Sequence, residues 1–169
     1  RDLFTANNSL YLIGQTHVGD LNFDTYITKI YGNDEYAHIR GNSIYTIVDG
    51  PSWTEAEANS NKLGGHLVTI NDAEENKWVL ENLNPDNNDI WIGISDKDVN
   101  GDFQWSSGED VTFTDWAPGE PSNIINKEYG KFWSRHNGKW DDASINDGGG
   151  HKGIAETPFI RRGDSAYVV

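Results

Sequence analysis

Apolar spacing divides the chain into a sharply patterned stretch, 41–160, and two less regular ends. Ser43-Ile44-Tyr45-Thr46-Ile47-Val48 is a β-branched and aromatic run ending in the turn formers Asp49-Gly50-Pro51, and it predicts a strand. A helix should follow at once: Ser52 and Glu55 have capping-box spacing, Trp53, Ala56, Ser60 and Leu63 fall on one helical face, and Gly64-Gly65 ends it. His66 to Ile70 predicts a short apolar strand. Asp72 with Glu75 repeats the capping box and opens a second helix to about Leu83, with Trp78, Val79 and Leu83 available to a core. After Pro85 short strands alternate with polar loops: Ile90 to Ile94, then Phe103 to Trp105, then a loop from Ser106 to Asn126. A loop so long and so poor in apolar residues suggests function. Tyr129 to Trp133 and Gly153 to Phe159 predict two closing strands, and Gly138-Lys139-Trp140-Asp141-Asp142 and Gly148-Gly149-Gly150 are expected in loops between them.

Residues 1–40 carry only short β-leaning stretches, Leu10 to Ile13 and Tyr26 to Tyr31, broken by Asn, Gly and Asp. They read as an extension adding a strand layer, or as the tail of a preceding module. Arg40-Gly41-Asn42-Ser43-Ile44-Tyr45-Thr46-Ile47 is echoed by Arg162-Gly163-Asp164-Ser165-Ala166-Tyr167-Val168-Val169, so residues 161–169 read as a linker or the start of a following module of about 120 residues. A shared strand-entry sequence is the alternative account. It also gives Arg162-Gly163-Asp164 a plainer role than cell attachment, a turn into a strand.

Composition narrows the partners. Lys and Arg total 13 against 27 Asp and Glu, a formal net charge of −14 over 169 residues. Such a surface repels nucleic acid and anionic membrane and attracts cations. There is no Cys, which excludes disulfides, thiolate metal sites and a cysteine nucleophile. No run is long and apolar enough for a membrane span, and no leader is visible. The start at Arg1 reads as a processed or excised product.

The candidate chemistry is a set of oxygen donors: Glu120, Ser122, Asn123, Glu128, Asp141 and Asp142. Carboxylates, hydroxyls and amide carbonyls suit calcium, which takes roughly six to eight oxygen ligands, better than zinc. A cis peptide at Pro121 would bring Glu120 and Ser122 to one side of a turn. Asp141 and Asp142 would diverge in a regular strand, whereas a loop would let both reach one ion.

Four separated motifs agree in order and spacing: Gly64-Gly65-His66-Leu67-Val68-Thr69-Ile70, Trp91-Ile92-Gly93-Ile94, Trp116-Ala117-Pro118-Gly119-Glu120-Pro121-Ser122-Asn123 and Gly138-Lys139-Trp140-Asp141-Asp142. Over residues 41–160 the chain closely resembles the C-type lectin-like domain family. The resemblance implies an α+β fold with two helices, small antiparallel sheets and a long calcium-binding loop region. It assigns calcium ligation to Glu120, Ser122, Glu128, Asp141 and Asp142, and sugar contacts to Glu120, Asn123, Glu128 and Asp142. Ser122 stands where the family has Asn, and Asp141 where its Trp motif has Asn. The hydroxyl is shorter than an amide and lacks the nitrogen that donates to a sugar, while Asp141 adds charge but no donor. A second ion, by the same resemblance, would draw on Asp96, Asn100 and Asn123 together with Glu128; a turn-forming role for Asp96, Asp98 and Asn100 is the alternative. The family's core cysteine positions correspond to Ser60, Gly130, Ile145 and Ala155, a departure that fits a bacterial surface module.

The Glu-Pro order resembles binders of mannose, glucose and fucose, so fucose- or mannose-containing cell-surface glycans are the expected partners, bound by one module of a longer calcium-dependent adhesin, extracellular or at the cell surface. Excised, such a module is expected to be monomeric, with neither nucleic-acid binding nor membrane insertion. The rival reading is a protein-binding or structural module in which calcium only rigidifies the loop. Catalysis is not expected: His17, His38, His66, His136 and His151 show no metal-ligand spacing, and Glu120 and Glu128, which could mimic a glycosidase pair, belong to the calcium pattern. Trp91, Trp105, Trp116 and Trp140 match family core positions, while Trp133 and His136 are near enough in sequence to line the site.

Overall fold

A computed structural model of the chain describes the backbone of residues 2–6, 9–15, 25–29, 37–145, 147, 152–162 and 165–168, and the side chains of 37–145, 147 and 152–159. Strands β1 (Asp2–Ala6), β2 (Ser9–Gln15), β3 (Thr25–Lys29) and β4 (Ala37–Arg40) form an antiparallel meander that joins β5 (Ser43–Asp49). The ladder between β4 and β5 puts Arg40 opposite Ser43. The last strands, β11 (Lys152–Arg162) and β12 (Ser165–Val168), likewise put Arg162 opposite Ser165. Both copies of the repeated segment therefore share a hairpin register. Gly163 and Asp164, the rest of the candidate attachment tripeptide, lie outside the described residues.

Strand β5 pairs antiparallel with β11, which runs parallel to β7 (Ile90–Ser95). From β7 the sheet continues antiparallel through β9 (Tyr129–Trp133) to β10 (Lys139–Ala143). Two short strands, β6 (His66–Leu67) and β8 (Gln104–Trp105), pair with β11 and β7.

Both helices are N-capped by the expected side chains. In α1 (Trp53–Lys62) Ser52 Oγ accepts from the Glu55 amide at 3.3 Å and donates to the Glu55 carboxylate at 2.7 Å. In α2 (Ala73–Leu83) Asp72 accepts from the Glu75 amide at 2.8 Å, and Glu75 reaches back to the Asn71 amide at 2.9 Å. Gly64, at φ 82°, takes the left-handed conformation that lets the chain leave α1, and a Cβ on Gly65 would collide with the Glu156 carbonyl oxygen. The helices bury Trp53, Ala56 and Ser60 on one side and Asn76, Val79 and Leu83 on the other.

Trp91, Trp140, Phe132, Ile92, Ile94, Ile154, Val68 and Val79 are fully buried, and Trp105 almost so, which places these tryptophans in the core as expected. Trp116 packs half-buried against them. At the positions matching family cysteines, Ser60 and Ala155 are fully buried, Ile145 packs on the core, and Gly130 leaves room for the Ile94 side chain. Among the described residues no helix is long and apolar enough to cross a membrane.

Two expectations fail. The strand expected over His66 to Ile70 ends at Leu67, because the Thr69 amide turns to the Glu156 carboxylate at 3.2 Å instead of a backbone acceptor. Asp141 and Asp142 lie not in a loop but within β10, opposite Lys131 and Gly130 of β9. Trp140, fully buried beside them, anchors that strand.

Candidate metal and sugar site

The long loop is pinned to β10 before it reaches the carboxylates. Trp140 donates its amide to the Asp115 carbonyl and receives the Ala117 amide, both at 2.8 Å. Its indole nitrogen donates to Asn76 Oδ1 at 3.0 Å, and Asn76 Nδ2 donates to Asp115 at 3.2 Å. Helix α2, the loop and β10 thus meet at Trp140.

From there the chain passes Gly119 and a cis Glu120–Pro121 peptide and folds over Asp142. Asp142 is fully buried, yet its carboxylate is well supplied with donors. Oδ1 accepts from the Ser122 amide at 2.9 Å, Oδ2 accepts from the Asn123 amide at 3.0 Å, and Ser122 Oγ donates to both oxygens at 3.0 and 3.1 Å. The short hydroxyl at 122 therefore serves as a brace for Asp142.

Glu120, Asp141 and Asp142 each present a carboxylate oxygen, all within 4.8 Å of one another. Adjacent residues of a strand leave opposite faces, yet at β10, the last strand of its path among the described residues, Asp141 and Asp142 each bring an oxygen to this group. Two oxygens there, Glu120 Oε2 and Asp141 Oδ1, are buried without a hydrogen-bond partner. Buried polar atoms are nearly always paired, so these two mark a place for a donor or a cation. Burial, a hydrogen bond with Asp142 and the charges of Asp141 and Asp142 push the Glu120 carboxyl up to about 7. Burial also raises Asp141, against the pull of Lys127 and Lys131, whose ammonium groups stand 3.8 and 3.7 Å away. The set is all oxygen, without His or Cys, and suits a hard cation. A calcium ion would be held by Glu120, Asp141 and Asp142.

Glu128 is half-buried, and its carboxylate is not among those within 4.8 Å. Its backbone ties the region together, donating to the Ala143 carbonyl at 3.1 Å and accepting from the Asp96 amide at 3.0 Å. Asp96 is buried; Oδ2 accepts from the Gly101 amide at 2.6 Å, and Oδ1 has no partner. Asn100 is exposed, and Asn123 Oδ1 would lie 3.7 Å from a Cβ on Gly101, so the loops carrying the second candidate set do meet. Trp133 and His136 stack with centroids 4.3 Å apart, but Trp133 pairs with Lys139 at the end of the hairpin away from Asp142.

Lys127 and Lys131 were not singled out by sequence. Lys131 is the informative one: a lysine at the centre of Tyr129-Gly130-Lys131-Phe132-Trp133, in a chain this acidic, calls for a buried carboxylate partner. It has Asp89 at 3.0 Å and Asp147 at 2.7 Å.

Residues 49–148 match the family model described as lectin C-type domain. The perlucin-like protein of Mytilus galloprovincialis is 34% identical over 102 residues, 58% of this chain and 65% of that protein. Lectin BRA-3 of Megabalanus rosa is 30% identical over 118 residues, 68% of this chain and 72% of its own length. A solved structure of a calcium-independent type II antifreeze protein superposes with a TM-score of 0.65 at 25% identity, covering 72% of this chain and 91% of that one.

Proposed function

This chain belongs to the lectin C-type domain family, whose members are carbohydrate-binding proteins and not enzymes, and we propose that it is a calcium-dependent carbohydrate-binding domain mediating adhesion to cell-surface glycans. Calcium does not follow from the fold, since a protein of the same fold is calcium-independent. The side chains support it, and the observation that carries the reading is the crowding of Glu120, Asp141 and Asp142 within 4.8 Å with two buried oxygens lacking hydrogen-bond partners.

In this reading the ion is held by Glu120, Asp141 and Asp142, with Ser122 bracing Asp142 and Glu128, just before β9, closing the site. Two vicinal sugar hydroxyls complete its shell, and the same hydroxyls donate to Glu120, Glu128 and Asp142, with Asn123 supplying a donor in return. The ion fixes the positions of the hydroxyl oxygens; the carboxylates fix the directions of their protons. An open site of this kind supports roughly millimolar affinity, which repeated modules or dense glycans would raise. Asp96, Asn100 and Asn123 form the second proposed calcium site, for which the unpartnered Asp96 Oδ1 speaks.

Fucose and mannose are the favoured sugars. Ile124 and Ile125, 59% and 75% exposed directly after Asn123, give apolar surface suited to the methyl group of fucose. An extracellular or surface location, within a longer adhesin, goes with this role. Residues 1–40 are proposed as an extension, 41–160 as the lectin domain and 161–169 as a linker.

The test is a glycan array probed in parallel with millimolar calcium and with excess chelator. Binding to fucose- or mannose-bearing glycans that disappears with chelator supports the proposal. A folded protein that binds no glycan in either condition overturns it in favour of a protein-binding module.

A further inference from the structure

A cavity of about 290 Å³ lies between α1 and the chain running from the end of β7 through β8, sharing no residue with the carboxylate cluster. It is small for a ligand site, just below the usual range of roughly 300–1,000 Å³. Trp53 and Glu57 of α1 line it together with Ser95, Asp102 and Gln104. The site adjoins the proposed calcium region, because Ser95 and Lys97 in its lining flank Asp96, whose amide bonds to the Glu128 carbonyl.

The polar lining is rich in acceptors and its donors are mostly engaged. Lys97 Nζ is taken by Asp98 at 2.8 Å, Gln104 Nε2 by Asp102 at 3.3 Å, and Ser106 Oγ by Glu57 at 3.0 Å. Glu57 Oε2 already accepts from the Leu67 amide at 2.8 Å, which fixes that carboxylate in place. Trp105 supplies the exception, an indole N–H on a residue 3% exposed with no partner. The lining thus combines the aromatic residues Trp53 and Trp105, the fixed carboxylate of Glu57, the exposed carboxylates of Asp98 and Asp102, and one unused donor on Trp105. Its complement is a compact ring with one apolar face and several hydroxyl donors. Glu57, Asp98 and Asp102 against the single cation Lys97 exclude an anionic ligand by like charge.

We propose that this cavity is a calcium-independent subsite for one neutral sugar residue. It rests on the carbohydrate-binding part of the proposed function and not on calcium. No metal is needed, since the carboxylate acceptors and the indole N–H take the place proposed for the ion at the other site.

The test uses the whole chain in excess chelator, with nitrogen-15 labelling to follow the seven tryptophan indole signals. Mannose, fucose, galactose and N-acetylglucosamine are titrated separately, with glucuronate as the anionic control. The expected result is a saturable shift of the Trp105 and Trp53 indole signals with at least one neutral sugar and none with glucuronate. Gln104→Ala, at an exposed position, should weaken it about fivefold, the loss of one hydrogen bond, with an unchanged melting temperature. Indole signals unmoved by every neutral sugar, moved equally by glucuronate, or moved as well in the Gln104→Ala protein would overturn the proposal. Because chelator is present throughout, a failure of the calcium site leaves this outcome unaffected.

Discussion

Two charge clusters meet at Asp141 and are built on opposite rules. On one side Lys131, its side chain 5% exposed, stands 3.0 Å from Asp89, 2.7 Å from Asp147 and 3.7 Å from Asp141. On the other, Glu120, Asp141 and Asp142 crowd within 4.8 Å, and the nearby cation, Lys127, is partly exposed and 3.8 Å from Asp141. The first cluster contains its own counter-ion; the second is left short of one. Burial works against ionisation of Asp89, but hydrogen bonds from Ser134 and Lys131 outweigh it and hold that carboxyl below the usual range. Glu120, partly buried and with acids for neighbours, is pushed up to about 7. The contrast teaches that burying acids is tolerable here where a lysine is folded in with them; where it is not, a proton or a cation from outside has to do that work.

The largest effect should come from breaking the self-contained cluster. Lys131→Met leaves Asp89, Asp141 and Asp147 without their shared cation, and denaturant unfolding at pH 7 should show a loss of about 3–5 kcal/mol. Next, Asp142→Asn removes a buried charge from the other cluster while keeping the shape. Calcium affinity, read by calorimetric titration, should fall about a hundredfold or more, beyond the 10–100-fold typical of outer-shell changes.

Opposite pH slopes sharpen the comparison. Glu120 binds its proton in the folded state up to about 7 but in the unfolded chain only up to 4.5, so calcium-free stability should fall as pH rises through that window. Glu120→Gln should flatten this slope, an effect of about 1 kcal/mol after solvent screening. Asp89 behaves in reverse. Its folded value lies below 3.8, so its contribution is present above that pH and is lost as pH falls through the folded value; Asp89→Asn should remove that acid limb. Melting temperatures across a pH series check both. The smallest effect belongs to Lys127→Met: calcium-free stability should drop by about 0.5 kcal/mol, as for an exposed pair, while calcium binds about twofold more tightly once the competing ammonium is gone.

Much of the fold was legible because it is written in local chemistry. Ser52 with Glu55, and Asp72 with Glu75, announce helix starts that the structure realises, and the apolar runs at Ile90 and Tyr129 become strands at nearly the expected bounds. Where a side chain replaces a backbone partner, pattern reading fails: Val68 to Ile70 is apolar and buried but is not strand, because Glu156 takes the Thr69 amide. Asp141 and Asp142 are expected in a loop because adjacent strand residues diverge, whereas a loop would let both reach one ion. Lys131 opposite Asp141 and the amides of Ser122 and Asn123 on Asp142 reconcile them with a strand, and both groups come from outside the strand itself. The acids of the site were visible as a set through the resemblance. Their grouping into a crowded trio beside a cluster that holds a lysine was not, since it depends on Lys131 of β9 being buried against Asp89 and Asp147.

The most direct test of the account is calorimetric titration of calcium into the folded protein at pH 7, in two buffers of different ionisation heat. Saturable binding should appear, with proton release traceable to Glu120, and should be lost in Asp142→Asn. Absence of calcium binding in a folded protein, or binding that Asp142→Asn leaves intact, would contradict the claim that the acids at the edge of β10 wait for a cation from outside.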